Sequence, residues 1–267
     1  MFNLALFRRE MKSMWKMLAV VAGILTMYVS VVISIYDSEM LGALDIFTEM
    51  MPGLADAMGL RMVVDTSLIG FVSIYLHGLI LLACPMIFSI LCGYNVIARH
   101  VEKGSMVSLL AAPIKRGAVA FTQMKVLIAG IVALVLYSTI LIIAVCEICF
   151  PGELNIAKLL MMNAGLLCLH LFIGGICFLC SCLFSEAKFS LGFGAGIPSA
   201  MLVLQMLGNV GGGAGSVKYF TVFTLFNPDG LAAGEGGAIA GMFILFAGAV
   251  VLFAGAIAVF TKKDLHI

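Results

Sequence analysis

The residues of this chain that could do chemistry are few, and most of them lie inside long apolar runs. Cys146 and Cys149 have the C-x-x-C spacing of a metal or redox motif, and three more cysteines follow His170 within a few turns. A structural zinc site needs four ligands, and no second C-x-x-C pair completes one. Cysteine also behaves as a small apolar residue that suits helix contacts in lipid. The pattern therefore predicts no metal site.

A second group consists of polar and aromatic side chains in or beside the apolar runs, where polar groups are expensive to bury and often functional. Each polar one has two open interpretations, a hydrogen bond between helices or contact with a substrate. The candidates for substrate contact are His77, Glu147, Asn163, His170, Phe223 and Phe226. They include no pairing of nucleophile with base of the kind that an intramembrane enzyme needs.

The elements that carry these residues are membrane spans. The chain is 63% hydrophobic and only 11% charged, with a mean hydropathy of +1.18, whereas soluble domains are about a quarter charged. A helix needs roughly 20 apolar residues to cross a bilayer. The sequence therefore predicts an all-α integral membrane protein, a single domain over 1–267 with no sizeable soluble part. The six predicted spans lie near 17–36, 68–97, 124–148, 159–184, 189–209 and 237–261.

The placement of basic residues predicts the orientation of these spans. Twelve Lys and Arg residues fall on the side of the two termini and three fall on the other, so both termini are expected in the cytoplasm. Residues 1–16 are amphipathic and predict a helix lying on the inner leaflet, with Trp15 at headgroup depth. The first apolar run has no cleavage site after it and is expected to stay as an anchor. These features predict a multi-pass protein of a bacterial inner or plasma membrane.

Two outer segments also carry helical patterns. In the loop 37–65 the apolar spacing predicts a helix that ends at Pro52-Gly53. After the fifth span, the glycine-rich run at 209–215 predicts a flexible break, followed by a short helix that places Tyr219, Phe223 and Phe226 on one face. This helix is expected to dip into the outer leaflet, as either a structural cap or a lid.

The most polar interval in the middle of the chain is 98–118, between the second and third spans. Ser105 suits an N-cap, the following apolar residues share one helical side, and Pro113 ends the run. The segment is predicted to be a short cytoplasmic helix flanked by charge. Two interpretations are open, a solvated connector or a surface that docks a soluble partner.

The sequence of this interval resembles the coupling segment of type-2 ABC exporter permeases. The residues that carry the resemblance are Glu102, Gly104-Ser105, Leu109-Leu110, Pro113-Ile114, Arg116 and Lys125. The amphipathic start, the six spans, the break before the last span and the ending "VFTKKDLHI" are similar to that family as well. The chain lacks the large extracellular domain that some members carry.

The resemblance implies a homodimeric permease pair in membrane lipid that binds two copies of a separate ATPase, with no nucleic acid involved. The residues that it places at the ATPase contact are Arg99, Glu102, Lys103, Gly104, Ser105, Met106 and Leu109. This chain has no G-x-x-x-x-G-K-[ST] loop, so ATP and Mg²⁺ are expected on the partner and no cofactor or catalytic site on the permease itself.

The cargo is a further expectation. Largely apolar spans with Met-rich and Phe-rich outer elements favour export of a hydrophobic or amphipathic cargo, foremost an antimicrobial or cytolytic peptide or a toxin. Export of drugs or lipid-linked glycans by the same mechanism stays open. A proton-coupled secondary transporter is the alternative of another kind, and it would require ionisable residues such as His77 and His170 near the membrane midplane.

Overall fold

The computed structural model describes residues 4–36, 46, 48–58, 67–98, 116–184, 186–210 and 212–262. The described part consists of helices and their connections, and it contains no strand. The α-helices are α1 (Leu4–Ser34), α2 (Pro52–Ala57), α3 (Leu68–Tyr75), α4 (Ile80–Val96), α5 (Arg116–Cys149), α6 (Ile156–Leu183), α7 (Ala187–Asn209), α8 (Pro228–Ala233) and α9 (Gly236–Lys262). Two 3₁₀ helices, Gly212–Phe220 and Val222–Leu225, lie between α7 and α8.

Helix length and hydropathy confirm the prediction of an all-α membrane protein. Among the described residues, α1, α5, α6, α7 and α9 are each long and apolar enough to cross a membrane, and α3 with α4 makes a sixth span if the bent pair counts as one. The core lies around α6, which packs against α9, α7, α4, α5 and α8. Side chains on α6 such as Leu166 and Phe178 are fully buried.

Contacts at the helix termini define two ends of the bundle. At one end, the ring of Tyr36 lies 5.1 Å from the ring of Phe150 and 5.2 Å from that of Phe71, between centroids. The cavity described in the next subsection, which is lined by Ser73 and His77, lies at this end. At the opposite end, the backbone N–H of Ala98 donates to Ser181 Oγ at 3.3 Å, and Gly117 lies against Thr261.

The N-terminal helix differs from the prediction. The expected interfacial helix at 1–16 is not separate from the first span, because α1 runs as one helix from Leu4 to Ser34. No proline or glycine lies between residues 4 and 22 to end it, and buried residues such as Leu6, Met14 and Leu25 continue one face into the packing with α5. Trp15 is exposed, on another face of the same helix.

Four other boundaries differ from the predictions. The expected span at 68–97 is divided into α3 and α4, which are bent by 44° at a break of four residues. Residues 116–118 of the predicted coupling segment 98–118 belong to α5. Pro52 begins a helix instead of ending one, since the first helical position needs no N–H donor. The segment after α7 forms 3₁₀ turns, and Tyr219 and Phe223 do not share a face, because Tyr219 is exposed and Phe223 is buried.

Candidate functional site

A cavity of about 440 Å³ lies beside the break between α3 and α4. Its walls come from α3, the break itself, α4, α7, the two 3₁₀ helices and the beginning of α8, together with one residue of α2. The polar lining residues are Ser73, His77, Gln205, Asn209, Lys218, Thr224, Asn227 and Asp229. Apolar lining residues are Leu79, Leu82, Leu202, Met206, Phe223 and Phe226, among others. The cavity is therefore amphipathic.

The break supplies irregular backbone to the cavity wall. The backbone N–H of His77 donates to the carbonyl of Val72 at 3.4 Å, and that of Leu81 donates to the carbonyl of Leu76 at 3.0 Å. Both bonds reach back five residues, so the helix is wider than an α-helix at this point. Gly78, which has no side chain, lies between them. Non-helical backbone in a membrane protein is tolerated where it is buried in protein or lines a cavity.

His77 is 1% exposed and is held at the break by two hydrogen bonds. Its Nδ1 lies 3.2 Å from the carbonyl oxygen of Val72, and its Nε2 lies 3.1 Å from Oδ1 of Asn163 on α6. With the amide in this orientation both ring nitrogens face oxygens, and both could donate only from a ring that carries two protons. If the Asn163 amide is turned, its NH₂ group donates to Nε2 and the ring is neutral. The pair thus accommodates either charge state.

Asp229 joins α8 to the α3 wall of the cavity. Ser73 Oγ donates to Asp229 Oδ1 at 2.5 Å, a length typical of a hydroxyl bonded to a charged oxygen. The carboxylate is positioned by the start of α8, where Oδ1 of Asn227 accepts from the N–H of Gly230 at 3.1 Å and caps the helix. Pro228 follows the cap at the first helical position.

The α7 wall is built around Gln205. Its Oε1 accepts from the hydroxyls of Thr221 at 2.6 Å and Thr224 at 2.9 Å, and its Nε2 donates to Asn209 Oδ1 at 3.2 Å. These bonds hold the two 3₁₀ helices against α7.

Lys218 approaches the same wall through a glycine. A Cβ on Gly208 would lie 2.7 Å from Lys218 Cβ and 2.9 Å from its backbone nitrogen, so only glycine permits this approach. The ammonium of Lys218 lies 5.5 Å from the centroid of the Tyr219 ring, within range of a cation–π contact.

Four of the residues predicted to contact substrate lie together here. His77, Phe223 and Phe226 line the cavity, and the ring centroids of His77 and Phe226 are 6.4 Å apart. Asn163 is 4% exposed and stands behind His77 as its hydrogen-bond partner. Two aromatic rings of the 3₁₀ segment and a histidine of the broken span therefore share one site.

His170 lies elsewhere and has a structural partner. It is fully buried, and its Nε2 donates to the backbone carbonyl of Leu81 at 2.9 Å. That carbonyl would normally accept from the N–H of residue 85, which is a proline and has none. His170 thus satisfies the carbonyl that Pro85 leaves free in α4, as is common where proline interrupts a membrane helix.

Glu147 also lies away from the cavity. Its Oε2 accepts from the backbone N–H of Gly152 at 3.3 Å, in the turn between α5 and α6. Gly152 has a φ of +79°, which favours glycine. The carboxylate therefore caps a turn at the end of α5.

The predicted ATPase contact falls in 99–115, so Arg99, Glu102, Lys103, Gly104, Ser105, Met106 and Leu109 lie outside the described residues. The residues on either side of this interval are at the opposite end of the bundle from the cavity. Ser181 Oγ donates to the carbonyl of Gly93 at 2.8 Å and accepts from Ala98, which fixes the end of α4 against α6. The interval thus connects two anchored helices.

The sequence interpretation missed Ser73, Lys218 and Asp229 as cavity residues. Asp229 was visible within the turn Asn227-Pro228-Asp229-Gly230, but its partner Ser73 is 156 positions away. Lys218 was counted only for the charge balance between the two sides of the membrane. Three sequence features together indicate this cavity: the turn at 227–230, the pair His77-Gly78 within a span, and the aromatic residues before the turn.

Comparison with protein-family models and with curated protein sequences finds no match for this chain.

Proposed function

We propose that this chain is the permease of an ATP-driven exporter, and that the cavity beside the α3–α4 break receives the cargo. The cavity is the observation that carries the proposal. Discontinuous helices beside a polar cavity are typical of substrate sites in transporters, because free backbone groups and buried side chains there can bind a solute. The five long apolar helices and the bent pair supply a membrane-spanning body for such a site.

The mixed lining supports an amphipathic cargo. The buried rings of Phe223 and Phe226 form apolar parts of the cavity wall, while Asp229 and Gln205 place polar groups at the same cavity. A peptide or toxin is the cargo that we favour, with drugs and lipid-linked glycans as alternatives. A solute that is polar on every face would leave the apolar lining residues without an apolar partner.

The coupling of export to ATP rests on the sequence pattern around Glu102, Gly104 and Ser105. On this proposal, two copies of the permease form a homodimer in the cell membrane and each binds a separate ATPase through that segment. ATP and Mg²⁺ are bound by the partner. The described residues on either side of the segment, Ala98 and Gly117, are at the opposite end of the bundle from the cavity, so on this proposal coupling requires movement along α4 and α5.

Purification from the native host in mild detergent tests the partner. We expect an ATP-binding subunit to co-purify, with hydrolysis that depends on the permease. The variants Glu102→Lys and Gly104→Trp should both reduce co-purification and hydrolysis. Matched controls are Glu153→Lys, on the exposed turn after α5, and Gly237→Trp, where no atom lies within 4 Å. Equal co-purification and hydrolysis in all four variants would contradict the ATPase contact.

A second candidate is a proton-coupled secondary transporter, favoured by the position of His77. The imidazole stands at the break of a span, bonded to Asn163, in a geometry that accepts both the neutral and the charged ring. Uptake into proteoliposomes that follows an imposed proton gradient without ATP, and that is lost in His77→Gln, would support this candidate over the exporter.

A further inference from the structure

We infer that the cavity binds a small amphipathic zwitterion, with its cationic group at Asp229, its anionic group at Lys218 and its apolar part between them. This inference rests on the proposed function, since it specifies the chemical class of the cargo. It depends on three features of the cavity, which are the separation of the two charges, the burial of the apolar surface and the exposure of the charged rim.

The two charged residues occupy different walls. Asp229 is bound to Ser73 on α3, whereas Lys218 is in contact with Gly208 on α7. Within the described part of the chain their recorded partners are different, since the carboxylate accepts from a hydroxyl and the ammonium lies over the ring of Tyr219. They do not neutralise each other, so each retains capacity for an opposite charge on a ligand.

The apolar lining of the same cavity comes from several elements. Leu82 from α4, Met206 from α7 and Phe226 from the turn before α8 line the same cavity. Phe226 is buried, while Asp229 is exposed and Lys218 is half-buried. Asp229 is thus accessible to solvent and Lys218 partly so, whereas Leu82 and Phe226 are buried. A ligand that enters this cavity keeps its charged groups near water and buries its apolar part.

The balance of charge favours a zwitterion over a ligand with net charge. The carboxylate of Asp229 and the ammonium of Lys218 line the cavity beside the imidazole of His77, whose two hydrogen bonds go to Val72 and Asn163. The carboxylate and the ammonium each attract an opposite charge and repel a like one. A ligand with only a positive charge would be repelled by Lys218, and a ligand with only a negative charge would be repelled by Asp229. A molecule that carries both charges at its ends satisfies both walls, and its apolar middle contacts the aromatic and aliphatic lining. A short peptide with free termini has this chemistry, and so does phosphatidylethanolamine.

The test is calorimetric titration of the full-length purified chain in detergent with the dipeptide phenylalanyl-leucine. The comparison ligands are the N-acetylated dipeptide, which lacks the ammonium, and the C-terminal amide, which lacks the carboxylate. We expect each blocked form to bind about tenfold more weakly than the free dipeptide, because each loses one charge-assisted contact. The measurement needs no ATPase, so its result is independent of whether the partner co-purifies.

Two variants test which residue binds which charged group of the dipeptide. Asp229→Asn should weaken binding of the free dipeptide to the level of the acetylated form, and Lys218→Gln should weaken it to the level of the amide. Asp229→Asn should leave binding of the acetylated dipeptide nearly unchanged, because that ligand has no ammonium. Lys218→Gln should likewise leave binding of the amide nearly unchanged, because that ligand has no carboxylate. The matched controls are Glu153→Gln and Lys158→Gln, two exposed charges near the turn between α5 and α6. Both should bind the free dipeptide like the unaltered chain.

Absence of dipeptide binding, or equal binding of all three ligands, would overturn the inference. A loss of binding in the control variants equal to that in Asp229→Asn and Lys218→Gln would overturn it as well. Repeating the titration in nanodiscs of phosphatidylglycerol with and without phosphatidylethanolamine distinguishes the two sources of the zwitterion. Competition by phosphatidylethanolamine would identify a lipid headgroup as the occupant, and its absence would identify a soluble one.

Discussion

The hydrogen bond from His170 to α4 allows us to predict a coupling free energy between substitutions at His170 and Pro85. The variant His170→Leu removes the donor to the carbonyl of Leu81, and that carbonyl has no intrahelical donor because residue 85 is proline. Leaving a buried carbonyl unpaired costs about 1 to 3 kcal/mol. Hydrogen bonds between membrane helices measure about 0.6 to 1.7 kcal/mol, so the lower part of the range applies.

The single variant alone does not isolate this contribution. Nδ1 of His170 is buried and has no hydrogen-bond partner in the described structure, so replacing the ring also removes an unpaired polar atom. The stability gained by removing the unpaired nitrogen offsets part of the stability lost with the hydrogen bond to Leu81. The variant Pro85→Ala separates the two effects, since the new N–H of residue 85 can donate to the carbonyl of Leu81 as in an ordinary helix. A carbonyl oxygen has two lone pairs and can accept from both donors.

We therefore predict a coupling free energy of about 1 kcal/mol between the two substitutions. His170→Leu should destabilise the chain by about 1 kcal/mol more when residue 85 is proline than when it is alanine. The assay is unfolding of the four purified proteins in mixed detergent and sodium dodecyl sulfate, followed by circular dichroism. An equal effect of His170→Leu in the two backgrounds would refute the assignment of this histidine to the free carbonyl and would return it to the candidates for substrate contact.

Two further predictions concern helix packing. Gly93→Leu should destabilise the bundle by about 1 to 3 kcal/mol, because a Cβ at this position of α4 would lie 2.6 Å from the Cβ of Cys177 on α6. Gly192→Leu is the control and should be tolerated, since a Cβ there would have no atom within 4 Å. Unfolding of the two variants side by side checks this, and similar losses in both would contradict the close approach. Tyr137→Phe should destabilise the chain by about 1 kcal/mol by removing the 2.6 Å hydrogen bond with Thr26 that joins α5 to α1. A Thr26→Val background should abolish that loss, and an unchanged loss there would exclude the bond as its cause.

Hydropathy was sufficient to predict the spans, because the absence of charge over about 20 residues has few other causes in a folded chain. The break within the second span was not predictable with the same ease. Gly78 and Pro85 are both common in membrane helices. Whether such residues bend a helix depends on which neighbours satisfy the freed backbone groups. The carbonyl that Pro85 frees in α4 is satisfied by His170, on a helix far along the chain.

The cavity was predictable only in part, for a related reason. His77 and Phe226 could be selected because a polar group in a span and an aromatic cluster beside a turn are each unusual. Ser73 and Lys218 carry no such mark in the sequence, and their importance comes from tertiary neighbours. Glu147 illustrates the converse, since an acidic residue near the end of a span drew attention while its oxygen caps the following turn.

The continuity of α1 has a mechanical consequence. Its 31 residues make a rod of about 46 Å at 1.5 Å per residue, which exceeds the hydrocarbon thickness of a bilayer. At its far end, Tyr28 donates to the carbonyl of Tyr75 at 3.3 Å, at the last residue of α3 before the break. Because α1 is one continuous helix from Leu4 through Tyr28, we expect a tilt of its Leu4 end to displace the end of α3 beside the break.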